Sequence, residues 1–306
     1  MGIINCARGG IIDENGLLKA LNEGIVSFAG LDVFEQEPPD YSNKLIKHPL
    51  VVCTPHLGAS TQEAQKKVAV QIAEQIVKYF NHGMISGAIN ASIFKDGIPE
   101  SLKSFLNLSE VVGRMLSQLR KGSLLRLALN TEGDQLQKHN KLLLIAMLKG
   151  FLSEELDSPV NYINAPIIAE ERGILVEESF SSKHQDYYNL INAAIDTNSE
   201  TFELSGTVFN KSDLRIVKIN QYPVEFKPGG HILIYKNIDR PGMLASVSKT
   251  LSDANINIAS LTLGRNLEQN DALTVVNLDS PVDLPIRESI LSIKGISDVY
   301  AVSLKN

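Results

Sequence analysis

Short apolar runs separated by a helical pattern constrain the start of this chain more than any other feature. Ile3–Cys6 is such a run, and it ends at Arg8-Gly9-Gly10, a natural passage from strand to turn. Asp13 is placed to cap a following helix, and Glu14 adds an acid to its first turn. Leu17, Leu18 and Leu21 give that helix one apolar face, and Gly24 is placed to stop it. Val26–Phe34 and Leu50–Cys53 then read as two more buried strands. Strands divided by helices pair in parallel, in a doubly wound α/β sheet. Three strands are few for such a sheet and none precedes the first, so the chain is expected to begin inside a domain.

From Ser60 a helix is expected to open on Ser60-Thr61-Gln62-Glu63, a capping-box pattern. It keeps a period of 3.6 through Val68, Ile72, Ile76 and Val77 to about Phe80. Asn81–Ile98 is rich in Gly, Ser and Asn, so residues 60–98 read as a crossover helix and a connection. Residues 99–228 mix helices around Leu108–Leu119, Leu142–Glu155 and Tyr162–Glu171 with strands. The strands are expected around Leu124–Leu129, Leu175–Phe180, Glu200–Val208 and Leu214–Ile219, giving a second α/β domain. Pro228-Gly229-Gly230 marks another boundary. Beyond it, His231–Lys236, Met243–Ala254, Ile256–Gly264, Ala272–Leu278, Pro285–Ile293 and Val299–Leu304 follow the order β-α-β-β-α-β, the ferredoxin-like plan.

Composition excludes several function classes. A net charge of −6 offers no global attraction to nucleic acid or to an anionic membrane. The longest apolar run, Leu142–Leu148, is far short of the ~20 residues that a spanning helix needs and reads as a core helix. Met-Gly-Ile-Ile-Asn lacks the shape of a signal peptide. Two cysteines argue against a disulfide scaffold; Cys6 and Cys53 each sit in an apolar run and are expected to be buried. A cytoplasmic setting fits these features.

Polar residues gather at the expected carboxyl ends of the first three strands, where ligands bind in doubly wound sheets. Arg8 follows the first strand; Asp32 lies within the second, followed by Phe34, Glu37 and Pro38; His56 follows the third. An arginine, a carboxylate and a histidine on one rim suit reversible alcohol oxidation. The histidine exchanges the hydroxyl proton, the carboxylate orients it, and the arginine holds a substrate carboxylate.

These residues lie within Asn5-Cys6-Ala7-Arg8-Gly9-Gly10, Leu31-Asp32-Val33-Phe34-Glu35-Gln36-Glu37-Pro38 and Thr54-Pro55-His56-Leu57-Gly58-Ala59-Ser60. The three segments resemble the late signatures of the D-2-hydroxyacid dehydrogenases, most closely the 3-phosphoglycerate dehydrogenase branch that opens serine synthesis. That resemblance implies Arg8, Glu37 and His56 as catalytic residues. Glu35 competes with Glu37, but the family's glutamate directly precedes a proline. It further implies NAD as cofactor, with Asp32 on the nicotinamide amide and backbone contacts from Cys6, Ala7, Arg8, His56, Leu57, Gly58 and Ala59. The substrate pair implied is 3-phosphoglycerate and 3-phosphohydroxypyruvate, and no metal is implied.

Val160-Asn161-Tyr162-Ile163-Asn164-Ala165-Pro166, Glu171-Arg172-Gly173 and Ser205-Gly206-Thr207-Val208-Phe209 resemble the intervening domain of the long form of these enzymes. Asp239-Arg240-Pro241-Gly242-Met243-Leu244, followed by Asn255-Ile256-Asn257-Ile258, resembles an ACT domain. The Pro-Gly turn opens a helix whose free N–H groups can receive a ligand carboxylate. Asn237, Asp239, Pro241, Gly242 and Asn257 are then the expected contacts to an L-serine effector, in a homo-oligomer (a dimer or tetramer). The expected fold is a partial Rossmann-like parallel sheet over residues 1–59, an intervening α/β domain over 99–228 and a ferredoxin-like ACT domain over 229–306.

No Gly-x-Gly-x-x-Gly turn stands between a strand and a helix in this sequence. The chain is therefore expected to be an N-terminally truncated member of its family, with little or no turnover alone. The alternatives are a catalytically inactive serine-binding or oligomerisation module, and another D-2-hydroxyacid dehydrogenase. The middle and ACT segments speak against the last.

Overall fold

The computed structural model describes residues 1–82, 98–182 and 187–304. It divides into two compact units, Met1–Met84 and Ile85–Asn306. Most of the connection expected over Asn81–Ile98 lies outside the described residues.

The first unit contains β1 (Gly2–Asn5), α1 (Glu14–Asn22), β2 (Phe28–Leu31), β3 (Val51–Cys53) and α2 (Gln62–His82). The sheet order is β1-β2-β3 and both pairings are parallel, with Asn5 opposite Leu31 and Leu31 opposite Cys53. Asp13 caps α1 by accepting from the Gly16 amide, and Gly24 follows its end at φ +72°. The α1 face of Leu17 and Leu21 packs on Ala29 and Leu31, joined by Phe34 and Leu45. On the sheet's other face Ile4, Phe28 and Val52 are exposed.

Three expectations change here. β2 is shorter than Val26–Phe34, because β1 offers only Gly2–Asn5 and β3 only Val51–Cys53 to pair with it. Asp32 therefore lies just past the strand rather than within it. Cys6 is exposed, not buried, while Cys53 is half-buried. The buried Asn5 side chain accepts from the Ala7 amide and donates to the Arg8 carbonyl, and this tight turn carries Cys6 outward. α2 is capped by Thr61, whose Oγ1 accepts from the Ala64 amide, whereas Ser60 bonds back to the Leu57 carbonyl. The periodic Val68, Ile72, Ile76, Val77 and Phe80 of α2 are all exposed.

The second unit begins with α3 (Glu100–Leu119), β4 (Leu124–Glu132), the short α4 (Asp134–Gln137), α5 (Asn140–Ser153) and α6 (Asn164–Glu171). β5 (Leu175–Ser181), β6 (Leu190–Thr197), β7 (Thr201–Phe209), β8 (Asp213–Ile219) and β9 (Tyr222–Phe226) follow. Their sheet has the order β5-β4-β6-β7-β8-β9, parallel only between β4 and β5. β6 and β9 were not expected. Ala, Asn and Asp within β6 and Pro223 within β9 are poor strand formers, and packing overrides that preference. α5 buries Leu142–Leu148 throughout, and Gly113 of α3 and Gly150 of α5 lie against each other's helix backbone.

The chain continues as β10 (Gly230–Ile238), α7 (Met243–Asp253), β11 (Ile258–Asn266), β12 (Asp271–Leu278), α8 (Leu284–Leu291) and β13 (Ile296–Leu304). This is the ferredoxin-like β-α-β-β-α-β order, in an antiparallel sheet β11-β12-β10-β13. One face, with Leu233, Tyr235, Val276 and Val299, packs with Val247 and Leu251 of α7 and Ile290 of α8. The other face, with Ile232, Ile234, Val275 and Val302, shares a core with α3, α5 and the six-stranded sheet. Lys236 and Asp271 pair at 2.8 Å, and Tyr222 of β9 donates to Asp271 at 2.7 Å, tying the two sheets. Among the described residues no helix is long and apolar enough to cross a membrane.

Candidate active site

The carboxyl ends of β1, β2 and β3 face the same rim because the strands are parallel. Past β1, Gly9 lies so close to the carbonyl of Phe34, which follows β2, that a side chain there would collide with it. The Phe34 amide donates to Glu37 Oε1 at 3.1 Å, turning the glutamate back over the strand end. Glu37 Oε2 then lies 2.6 Å from His56 Nδ1. His56 follows β3 with a left-handed φ of +54°, an uncommon backbone for a histidine. The His56 hydrogen bond, above all, holds the Glu37 carboxyl below its ordinary range, with help from the Phe34 amide and the positive charge of Arg8. The competing Glu35 has no side-chain contact to His56 among the described residues; its backbone amide donates to Glu14.

Asp32 ties the rim together. Its Oδ1 accepts from Thr54 Oγ1 at 2.5 Å and from the Leu57 amide at 2.7 Å, and its Oδ2 accepts from the Gly58 amide at 2.9 Å. Led by the Thr54 bond, these contacts hold the Asp32 carboxyl below its ordinary range, so it is an anion at neutral pH. Asn5 and Thr54 thus shape the rim; each opens one of the segments that carry the resemblance, and their places at the ends of β1 and β3 are the available signal. A cleft of about 910 Å³ opens beside these groups, lined among others by Asp32, Phe34, Glu37, Tyr41, Thr54 and His56. Arg8 is exposed. Its guanidinium has no hydrogen-bond partner among the described residues and remains available to an anion.

The expected cofactor contacts are differently placed from one another. The Ala7, His56, Leu57 and Gly58 amides already donate to Asn5, Thr54 and Asp32. At these four positions a backbone contact to a ligand therefore falls to the carbonyl oxygen. Asp32 Oδ2 accepts a single hydrogen bond and keeps capacity for an amide N–H, which fits the carboxamide of a nicotinamide. Among the described residues no cluster of three or more His, Cys, Asp or Glu side chains could hold a metal.

In the second unit Asp239 Oδ2 accepts from Arg265 Nε at 2.6 Å, and Asn257 donates to Asp279 at 2.6 Å. Gly242, at φ +91°, caps α7 without a side-chain bond. Asn237 is buried; its side-chain amide donates to the Ile238 carbonyl and its Oδ1 has no partner among the described residues. Ile238 is opposite Asp271, and Asn266 of β11 is opposite the same residue, whereas Ile258 is opposite Leu278. Asn257 and Asp239 lie one residue beyond these, so about 30 Å separates them along the sheet at ~3.4 Å per residue. One chain brings Asn237, Asp239, Pro241 and Gly242 together but not Asn257.

Three family models match in succession. Residues 1–58 match the D-isomer specific 2-hydroxyacid dehydrogenase, NAD binding domain; residues 101–220 match the D-3-phosphoglycerate dehydrogenase intervening domain; residues 231–295 match the ACT domain. D-3-phosphoglycerate dehydrogenases of Bacillus subtilis and Methanocaldococcus jannaschii are 36% and 39% identical to it across 99% of the chain. The chain is thus similar to D-3-phosphoglycerate dehydrogenases over nearly its whole length. It spans 57% of the length of each of those two relatives. A solved glyoxylate reductase from Paecilomyes thermophila aligns with 28% of the chain and 26% of its own length, at 35% identity and a TM-score of 0.25. The three family-model matches fall on the parallel sheet, the six-stranded sheet and the ferredoxin-like sheet in chain order.

Proposed function

We propose that this chain supplies the proton-transfer side of a D-3-phosphoglycerate dehydrogenase centre, and that its ACT domain binds L-serine. The reaction is the NAD-dependent oxidation of 3-phospho-D-glycerate to 3-phosphohydroxypyruvate. The single observation that carries this is the Glu37–His56 contact of 2.6 Å on the strand-end rim. An ionised Glu37 can only accept, so His56 Nδ1 is the donor. That leaves Nε2 to take the hydroxyl proton in oxidation and to return it in reduction. Arg8, exposed and free of an ion pair, is suited to a two-pronged contact with the substrate carboxylate. Asp32 is suited to the nicotinamide carboxamide. When bound, that cofactor accepts the hydride from C2.

The serine assignment draws support from the bare edge of β11. Leu261 and Leu263 on that strand are exposed, and an open edge strand invites a partner. Antiparallel pairing of two copies along β11 sets the Asn257 end of one against the Asp239 end of the other. The free amides at the start of α7 then meet the serine carboxylate, and Asp239 meets its ammonium. The catalytic test is NADH oxidation with 3-phosphohydroxypyruvate, using residues 1–306 fused behind the N-terminal part of the Bacillus subtilis relative. Turnover that survives His56→Ala unchanged would overturn the reading.

A further inference from the structure

We infer that Glu14, in the first turn of α1, is a positioning residue for Glu37, clamping both stems of the loop that carries it; this rests on the catalytic reading of Glu37 and His56. Glu14 Oε1 accepts from the Glu35 amide at 2.8 Å, two residues before Glu37. Glu14 Oε2 accepts from Asn43 Nδ2 at 2.8 Å, at the far stem. Asn43 is itself fixed, since its Oδ1 accepts from the Leu45 amide at 2.9 Å and Leu45 is buried in the α1 core. One half-buried carboxylate thus joins the start of the helix to both ends of an otherwise exposed loop.

The loop has little else to hold it. Residues 35–38 and 40–42 are exposed, and apart from Glu37 itself their side-chain contacts are local, such as Asp40 accepting from the Ser42 amide. A carboxylate that must meet a histidine within hydrogen-bond distance needs its backbone fixed to within about half an ångström. Among the described residues Glu14 bonds to Glu35 and Asn43, whereas Glu37 faces His56 and Arg8. Glu14 acts only through the loop.

The experiment is a ¹³C-detected titration of the Glu37 carboxyl in residues 1–306, in the parent chain and in Glu14→Ala, Glu14→Gln and Asn43→Ala. In Glu14→Ala the Glu37 midpoint should rise towards the ordinary 4.5, because the loop no longer holds it on His56. The Glu35 amide should exchange about tenfold faster or more. Glu14→Gln removes the same charge and the Asn43 contact but keeps an acceptor for the Glu35 amide, so its midpoint should rise no further than that of Asn43→Ala. Asn43→Ala keeps the charge and removes one contact, so a smaller rise is expected, and it carries the test if Glu14→Ala does not fold. An unchanged midpoint in a folded Glu14→Ala, or in Asn43→Ala if Glu14→Ala does not fold, would overturn the inference. So would a Glu14→Gln midpoint displaced as far as that of Glu14→Ala. If Glu14→Ala moves the midpoint while His56→Ala leaves turnover intact in the fusion, the clamp stands and the catalytic reading falls.

Discussion

Glu37 Oε2 and His56 Nδ1 lie 2.6 Å apart, although 19 positions separate them in the sequence. Parallel strands make this contact possible: β2 and β3 end at the same rim, and the residues after each are delivered to one place. Two bonds then refine it, from the Phe34 amide to Glu37 and from the Leu57 amide to Asp32.

Acid should loosen the rim. Glu37 and Asp32 both have folded pKa values below their ordinary 4.5 and 3.8, through the His56 bond and the Thr54 bond respectively. A depressed pKa gives stability that is present above the ordinary value and is lost as pH falls through the folded value. We predict that amide resonances of residues 1–59 melt at a constant temperature above about pH 5 and at falling temperatures below it. Both groups are solvent-accessible in part, so the effect is modest. Asp32→Asn should flatten the acid limb, and an unchanged limb would count against the proposed network.

His56→Ala and Arg8→Ala should damage different parameters in the fused enzyme. Loss of the proton-exchanging group should lower kcat by ~10²-fold or more while substrate still binds. Loss of Arg8 should also raise KM, because the substrate carboxylate loses its partner. Steady-state kinetics at saturating NADH separates the two. Identical profiles for both variants would mean that one of the roles is misassigned.

Much of this architecture was legible in the sequence, and the exceptions have physical causes. The turn residues Arg8-Gly9-Gly10 and the caps at Asp13 and Gly24 give β1 and α1 directly, because local chemistry decides them. β6 and β9 were hidden, since Ala193, Ala194, Asp196 and Pro223 oppose strand formation locally and only neighbouring strands enforce it. Arg8, Glu37 and His56 could be named from motifs, but the choice of Glu37 over Glu35 becomes geometric only once the Phe34 amide is seen. Cys6 was misread because its apolar neighbours say nothing of the Asn5 turn that expels it. Glu14 reads as a helix-dipole residue, and only the folded loop shows its contacts to Glu35 and Asn43.

The crossing of α3 and α5 should be intolerant of any side chain at its glycines. A Cβ on Gly113 would meet the Met147 carbonyl, and one on Gly150 would meet the Glu110 carbonyl, both far inside contact distance. These neighbours are helix backbone and cannot swing away. We predict that Gly113→Ala or Gly150→Ala destabilises the second unit by about 1–3 kcal/mol despite alanine's better helix propensity. Urea unfolding of the full chain measures this, and a stabilised Gly150→Ala would show that the helices can separate.

The last prediction concerns the ACT domain. L-serine should raise the melting temperature of the chain in proportion to the logarithm of its excess over the dissociation constant, because the folded domain alone binds it. D-serine should not, since the helix N-terminus and Asp239 would fix two of its groups and misplace the third. Asp239 is engaged by Arg265 at 2.6 Å, so an ammonium must share or displace that arginine. Asp239→Ala should therefore abolish the shift, while Arg265→Ala should leave it intact or increase it. Asn257 is about 30 Å from Asp239 in one copy at ~3.4 Å per residue, so Asn257→Ala should matter only if two copies join along β11. Mixing the Asp239→Ala and Asn257→Ala chains separates the cases. Paired antiparallel along β11, such a mixed dimer has one site with both residues intact and one with neither. Calorimetry with L-serine should then recover binding that neither variant shows alone, at a stoichiometry of at most one serine per mixed dimer. A melting shift that survives Asn257→Ala undiminished would place the serine within a single copy and remove the dimer from the site.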